Sequence, residues 1–238
     1  MNLGEYLGAG AGITKGLWRL NGNSNDASGN GYNGTDTGIA YGLAHGRFGQ
    51  GASFVQASSS NIALPSSIDT PLANGSFTFG GWFNQQVNSP VVLSRGVVST
   101  GSNYYGLSIT LSGSSVIFVR NINTTTAYQL TLSCTVPTSV FFFLVLTFDK
   151  SNGDTKAYVN GTLGASGTMS SYASNVAYHA SFDTGWHLGA LMRNVSDAFY
   201  THKEDEVFLE NVIWSPTMVQ KYYTRALGRG VFAPSSSL

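Results

Sequence analysis

Short runs of apolar residues, broken by turn residues, recur along most of the chain. Residues 76–83 (SFTFGGWF) concentrate Phe and Trp in one segment, and residues 91–94, 105–111 and 115–120 carry β-branched and apolar side chains. Gly-Ser turns such as Ser112-Gly113-Ser114 separate these runs. Residues 126–132 (TAYQLTL) alternate, which puts Tyr128, Leu130 and Leu132 on one face of a strand. Residues 139–148 (SVFFFLVLTF) scarcely alternate, as expected of a strand covered on both faces or central to its sheet. The stretch 149–154 then reads as a turn and Thr155–Val159 as the returning strand. Asn160-Gly161 follows, a two-residue hairpin signal of type I′. Many short strands with a turn every eight to twelve residues or so predict an all-β, two-sheet antiparallel sandwich.

One helix stands out near the end, over residues 215–227. Ser215 can cap it, Pro216 suits the first helical position, and Val219, Tyr222, Tyr223 and Ala226 share a face. Gly228 is a natural stop. The pattern therefore predicts an arm over 1–15, a single domain over 16–227 and a tail over 228–238. No internal repeat is visible.

Composition narrows the functional classes. Of 238 residues only 10% are charged, and the formal net charge is zero. A neutral surface offers no footprint for a polyanion, so nucleic acid is not an expected partner. The longest apolar run, Val140 to Leu146, is too short to cross a bilayer, and the Glu5-bearing start does not read as a signal peptide, so membrane insertion is not expected either. Cys134 is the single cysteine, which excludes an intrachain disulfide, and its apolar neighbours predict a buried small hydrophobe within a strand.

Four blocks in fixed order resemble the laminin-G-like jelly-roll family of concanavalin-A-like lectins and glucanases. The first is Gly16–Gly34 (GLWRLNGNSNDASGNGYNG), an opening strand with its Asn-Asp-x-Ser-Gly-Asn-Gly turn. The second joins Gly46–Phe54, Asn61–Leu64 and the aromatic strand carrying Phe77, Phe79 and Trp82. Phe143–Gly161 is the third, and Trp186–Gly189, Asp205-Glu206-Val207, Trp214 and the helix form the fourth. The resemblance implies a jelly-roll β-sandwich. It does not fix a function, because that fold hosts lectins, adhesion modules, enzymes and virus structural proteins. It also implies a structural calcium ion, with Asp26, Asn30 and Asp205 at the matching positions; oxygen-rich turns suit such a cation. The alternative is that Asp26 and Asn30 only make Asx-turn hydrogen bonds that lock the loop.

Three further features are candidate chemistry. Glu204-Asp205-Glu206 is the one acidic cluster; on a regular strand Glu204 and Glu206 share a face, roughly 6–7 Å apart. Glycosidases place two carboxylates at about that separation. Phe208 at the next same-face position and Lys203 beside Glu204 point instead to a solvated, charge-balanced edge, so no catalytic residue is assigned. Tyr104, Tyr105, Tyr172, Tyr178, Phe199 and Tyr200 stand in Ser/Asn/Gly-rich stretches that read as loops and are candidates for a ligand or partner surface. The segment 165–183 reads as the longest loop. His45, His179, His187 and His202 show no metal-ligand spacing.

The expected function is a non-catalytic binding or assembly module. The leading expectation is a bacteriophage virion protein (capsid decoration, tail or fibre), with homo-oligomer or other subunit contacts through the terminal arms. It would sit in the virion or at an extracellular surface. A carbohydrate-binding lectin or adhesin for cell-surface glycans is the alternative, and a glycoside hydrolase ranks behind both.

Overall fold

The structure is a computed structural model that describes residues 14–86, 89–99, 103–179, 185–191 and 197–229. The chain opens with β1 (Thr14–Trp18), β2 (Thr35–Thr37), β3 (Ala40–Gly42), β4 (Gly51–Phe54), β5 (Asn61–Leu64) and a short helix α1 (Asp69–Asn74). Its middle carries β6 (Phe77–Gln85), β7 (Val91–Ser99), β8 (Tyr104–Ser112), β9 (Ser115–Arg120) and β10 (Gln129–Ser133). Next come β11 (Phe142–Phe148), β12 (Asp154–Val159) and β13 (Thr162–Thr168). The strands β14 (Trp186–Leu188), β15 (Ala190–Leu191), β16 (Ala198–Phe199) and β17 (His202–Glu210) lead into the helix α2 (Pro216–Arg229).

Among the described residues, the long strands form two antiparallel sheets. The first has eight strands in the order β13-β12-β11-β6-β17-β4-β3, with β1 also on β17; the second runs β10-β9-β8-β7-β14-β5-β2. The sandwich predicted from the alternation is therefore present, with one helix near the C-terminus.

The unbroken apolar run of β11 is explained by what lies on either side of it. Phe142, Leu144, Leu146 and Phe148 enter the core between the sheets, among Phe77, Phe79, Phe83, Phe118 and Trp186. Phe143 and Val145 point the other way, into a second apolar cluster with Trp82, Phe208, Trp214, Val219 and Tyr222. The helix α2 roofs that second cluster. Of the face its periodicity predicts, Val219, Tyr222 and Ala226 are buried, and Tyr223 is only partly buried, at the edge of the cluster. Burying both faces of one strand ties the helix to the sandwich, since the same backbone feeds both clusters.

Local expectations needed adjustment at several points. Strand β10 starts at Gln129, and Cys134 lies just beyond it, though still buried. Strand β11 starts at Phe142, because Ser139 sits in a left-handed turn with φ 62. Strand β13 occupies the start of the segment read as a long loop, and residues 180–183 lie outside the described residues. Strand β1 begins at Thr14, within the stretch read as an arm; residues 1–13 and the tail from 230 onward lie outside the described residues. No helix among the described residues is long and apolar enough to cross a membrane.

Candidate ligand groove

On the outer face of the eight-stranded sheet, beside α2, an open groove of about 540 Å³ runs between the 43–50 loop, the 139–141 segment and the helix. Strand β6 supplies its floor. Alternation along β6 sends Phe79 and Phe83 into the core and turns Trp82 and Asn84 outward. Trp82 is wedged among Phe143 (ring centroids 5.4 Å), Phe48 (5.3 Å, edge-on) and Tyr223 (5.9 Å, stacked).

Asp205 holds one wall in place. Its Oδ2 accepts the backbone N–H groups of Arg47 and Phe48, both at 2.7 Å, which pins the loop to β17. Burial pushes the Asp205 carboxyl up to about 7, against the pull of those N–H donors. The Arg47 guanidinium then lies 5.4 Å from the rings of both Trp82 and Phe48. The opposite wall is the Asn160-Gly161 turn, whose φ values of 51 and 81 match the predicted hairpin. Asn160 Oδ1 accepts the Phe143 N–H at 3.0 Å. Val140 and Leu227 form an exposed apolar lip. At the floor, the Asn84 side-chain oxygen and the Trp82 indole N–H are buried without a hydrogen-bond partner. Buried polar atoms of that kind are uncommon and call for an explanation.

The structure distributes the sequence candidates differently from expectation. The acidic cluster is not a solvated edge: β17 is a central strand, with Glu204 and Asp205 buried. Nor do Glu204 and Glu206 share a face. A β-bulge between Asp205 and Phe208, with Glu206 at φ 48, inserts one extra residue. Glu204 points inward and pairs with His202 (2.9 Å), Asp205 points outward, and Glu206 pairs with Arg19 (3.2 Å). Burial raises the Glu204 carboxyl, which its His202 contact opposes. The three carboxylates thus face three environments rather than one cleft.

Asp26 and Asn30 lock their turn and tie it to β1. Asp26 accepts the N–H groups of Leu17 (3.0 Å), Ser28 (2.8 Å) and Tyr32 (3.0 Å) and the Ser28 hydroxyl (2.8 Å). Asn30 presents its amide nitrogen, a donor, to the carbonyls of Thr14 (2.8 Å) and Lys15 (3.1 Å). With Asp205 clamping the 43–50 loop, this set does not fit a calcium ion, and no group of three His, Cys, Asp or Glu among the described residues could hold a metal. The Asp26–Ser28 bonds are those of an Asx turn, and the others fasten that turn to β1 and to Tyr32.

The six aromatic candidates stand on different elements. Tyr104 and Tyr105 begin β8 and Phe199 lies in β16, so these are strand residues rather than loop residues. Tyr105 meets His179 edge-on, and Tyr172 and Tyr178 pack against the core, with Arg95 3.7 Å from the Tyr178 ring. Tyr200 precedes β17, its carbonyl 3.2 Å from the His202 ring. The groove residues Arg47, Asn84, Asn160 and Tyr223 were not among the site candidates the sequence offers; Asn160 and Tyr223 figure there only as hairpin and helix residues. The one local signal was the polar Asn84 interrupting an aromatic strand.

The comparisons with known proteins agree with this architecture. No curated protein matches the chain. Among solved structures, it resembles the receptor-binding domain of botulinum neurotoxin type G (TM-score 0.61, 14% identity, covering 89% of this chain and 51% of that one). It is similar to the binding domain of paraclostridial mosquitocidal protein 1 (TM-score 0.62, 12% identity, 90% and 52%). It also resembles the binding domain of botulinum neurotoxin DC in complex with SialylT (TM-score 0.62, 11% identity, 90% and 51%). The chain spans about half the length of these structures. The profile of the concanavalin A-like lectin/glucanases superfamily matches residues 56–199, more than half of the sequence, and the chain belongs to that superfamily.

Proposed function

We infer that this chain is a non-catalytic binding module that takes a saccharide in the groove beside α2. One observation carries this reading: the Asn84 amide is 8% exposed, with its carbonyl oxygen unpartnered, at the floor of a groove lined by both aromatic and polar side chains. A ligand hydroxyl would satisfy that oxygen, while Tyr223, Phe141 and Val140 offer apolar surface to a sugar ring. The solved neighbours are binding domains by title, and one is in complex with SialylT, which supports the class of function without locating a site. Against hydrolysis stands the divergence of Glu204, Asp205 and Glu206, since glycosidases need paired carboxylates across one cleft. A glycan array with the parent and Asn84→Ala tests the reading. Binding that the substitution weakens about tenfold or more is expected; no hits, or hits that Asn84→Ala leaves unchanged, would sink it.

A second reading is assembly into a virion, with the chain outside cells on a particle surface. The charge-poor composition supports it, as do the large apolar side chains left exposed among the described residues (Leu43, Val140, Leu163, Ile213 and Leu227). Copurification with particles at fixed copy number is the expected result. A chain that stays monomeric and never associates with particles would count against it.

A further inference from the structure

The polar groups around the groove are unevenly matched. Among the described residues that line it, Arg47 carries the only charge. Among the described residues the guanidinium faces the Phe48 and Trp82 rings and makes no ion pair, and the buried Trp82 indole N–H has no hydrogen-bond partner. Asn160 commits its side-chain oxygen to Phe143, so its amide nitrogen is the group left over. Asp205, paired across from Trp82, gives its Oδ2 to backbone N–H groups rather than to the guanidinium of Arg47. The aromatic seat beneath Arg47 orients the cation without neutralising its charge. The lining thus carries a positive formal charge, and no carboxylate among the described lining residues balances it.

We propose that the groove selects an acidic saccharide, with Arg47 taking the single carboxylate or sulfate ester of a sugar whose ring packs against Phe141, Val140 and Leu227. This rests on the reading of the groove as a saccharide site. A guanidinium presents a planar fork of N–H donors that matches such an anion, and a charge-assisted pair is stronger than a neutral hydrogen bond. The anion would also accept from the Arg47 guanidinium, while a ring hydroxyl donates to the Asn84 side-chain oxygen.

The test is titration calorimetry of the full chain against three oligosaccharides with one common backbone: neutral, carboxylated and sulfated. At low salt, at least one acidic form should bind about tenfold tighter than the neutral one. The advantage should shrink as salt is raised and vanish in Arg47→Gln, while Arg47→Lys keeps part of it. Whichever acidic form wins identifies the anion. An acidic advantage that survives Arg47→Gln would overturn the proposal. Equal affinity for all three ligands, weakened equally by Asn84→Ala, would also overturn it but leave the groove standing as a saccharide site. Absence of any binding, or binding that neither substitution alters, removes both readings. Arg47 is exposed, so an unchanged melting temperature is expected for its variants and checks that they fold.

Discussion

Glu210 illustrates how one buried carboxylate sets a pH dependence. It lies at the end of β17, where the Thr14 hydroxyl donates to its Oε1 (2.9 Å) and its Oε2 has no partner. Burial pushes the carboxyl up to about 7, with the Thr14 bond acting in the opposite direction. The folded form thus holds its proton after the unfolded chain has lost it. Its contribution is fully present below about pH 4, declines as pH rises, and is gone above about pH 7. Glu210→Gln should flatten that decline and raise stability at about pH 8 by on the order of 2 kcal/mol. Denaturant titrations at about pH 4 and pH 8 check it; identical slopes in parent and variant would refute it. At Gly161, φ is +81 and an added Cβ would stand 2.7 Å from Tyr223 Cδ1. Gly161→Ala should cost roughly 1–3 kcal/mol and also weaken ligand binding by displacing Tyr223, measured by melting and by titration. The turn at Asn160-Gly161 was legible in the sequence, because its chemistry is local. The left-handed Glu206 was not: nothing within a few residues of it demands φ 48, and the demand comes from pairing with β6.

The helix α2 shows the same division between elements. Its start and buried stripe follow from Ser215, Pro216 and the spacing of Val219, Tyr222 and Ala226, all close in sequence, whereas the helix runs through Gly228, read as its stop, to Arg229. What it covers could not be read there, because Phe143, Phe208 and Trp214 become its neighbours only through the order β11-β6-β17. Tyr222 stacks on Phe143 at 5.2 Å and approaches Trp214 at 5.4 Å. Tyr222→Ala should therefore lose about 3 kcal/mol, read from denaturant midpoints. The groove has the same origin. Its loop, strand, hairpin and helix each carry an ordinary sequence signature, and the site exists only where they converge. Of the aromatic residues read as a ligand surface, Tyr172 and Tyr178 pack against the core and Tyr104, Tyr105 and Phe199 stand on strands, because an aromatic in a polar stretch signals burial as readily as display.

For the whole molecule, the shared strands predict cooperativity. Trp18 and Trp186 sit between the sheets, while Trp82 and Trp214 sit under α2, and β6, β11 and β17 contribute to both clusters. Loss of one cluster strips a face from the strands that build the other. Unfolding followed by tryptophan fluorescence and by far-ultraviolet circular dichroism should give one coincident transition; two separated midpoints would show that the helical cap melts alone.

The extra residue in β17 has a consequence for ancestry as well as for shape. Between Asp205 and Phe208 this strand uses one position more than β6 needs, and the surplus falls at Glu206. Removing Glu206 would leave His202, Glu204, Val207 and Leu209 facing the core as before, whereas a deletion elsewhere in the strand would turn its inside out. Position 206 is thus the place in β17 where one residue can be lost while the remaining side chains keep their faces. An alignment that forbids a gap there would assign every later side chain of the strand to the wrong face.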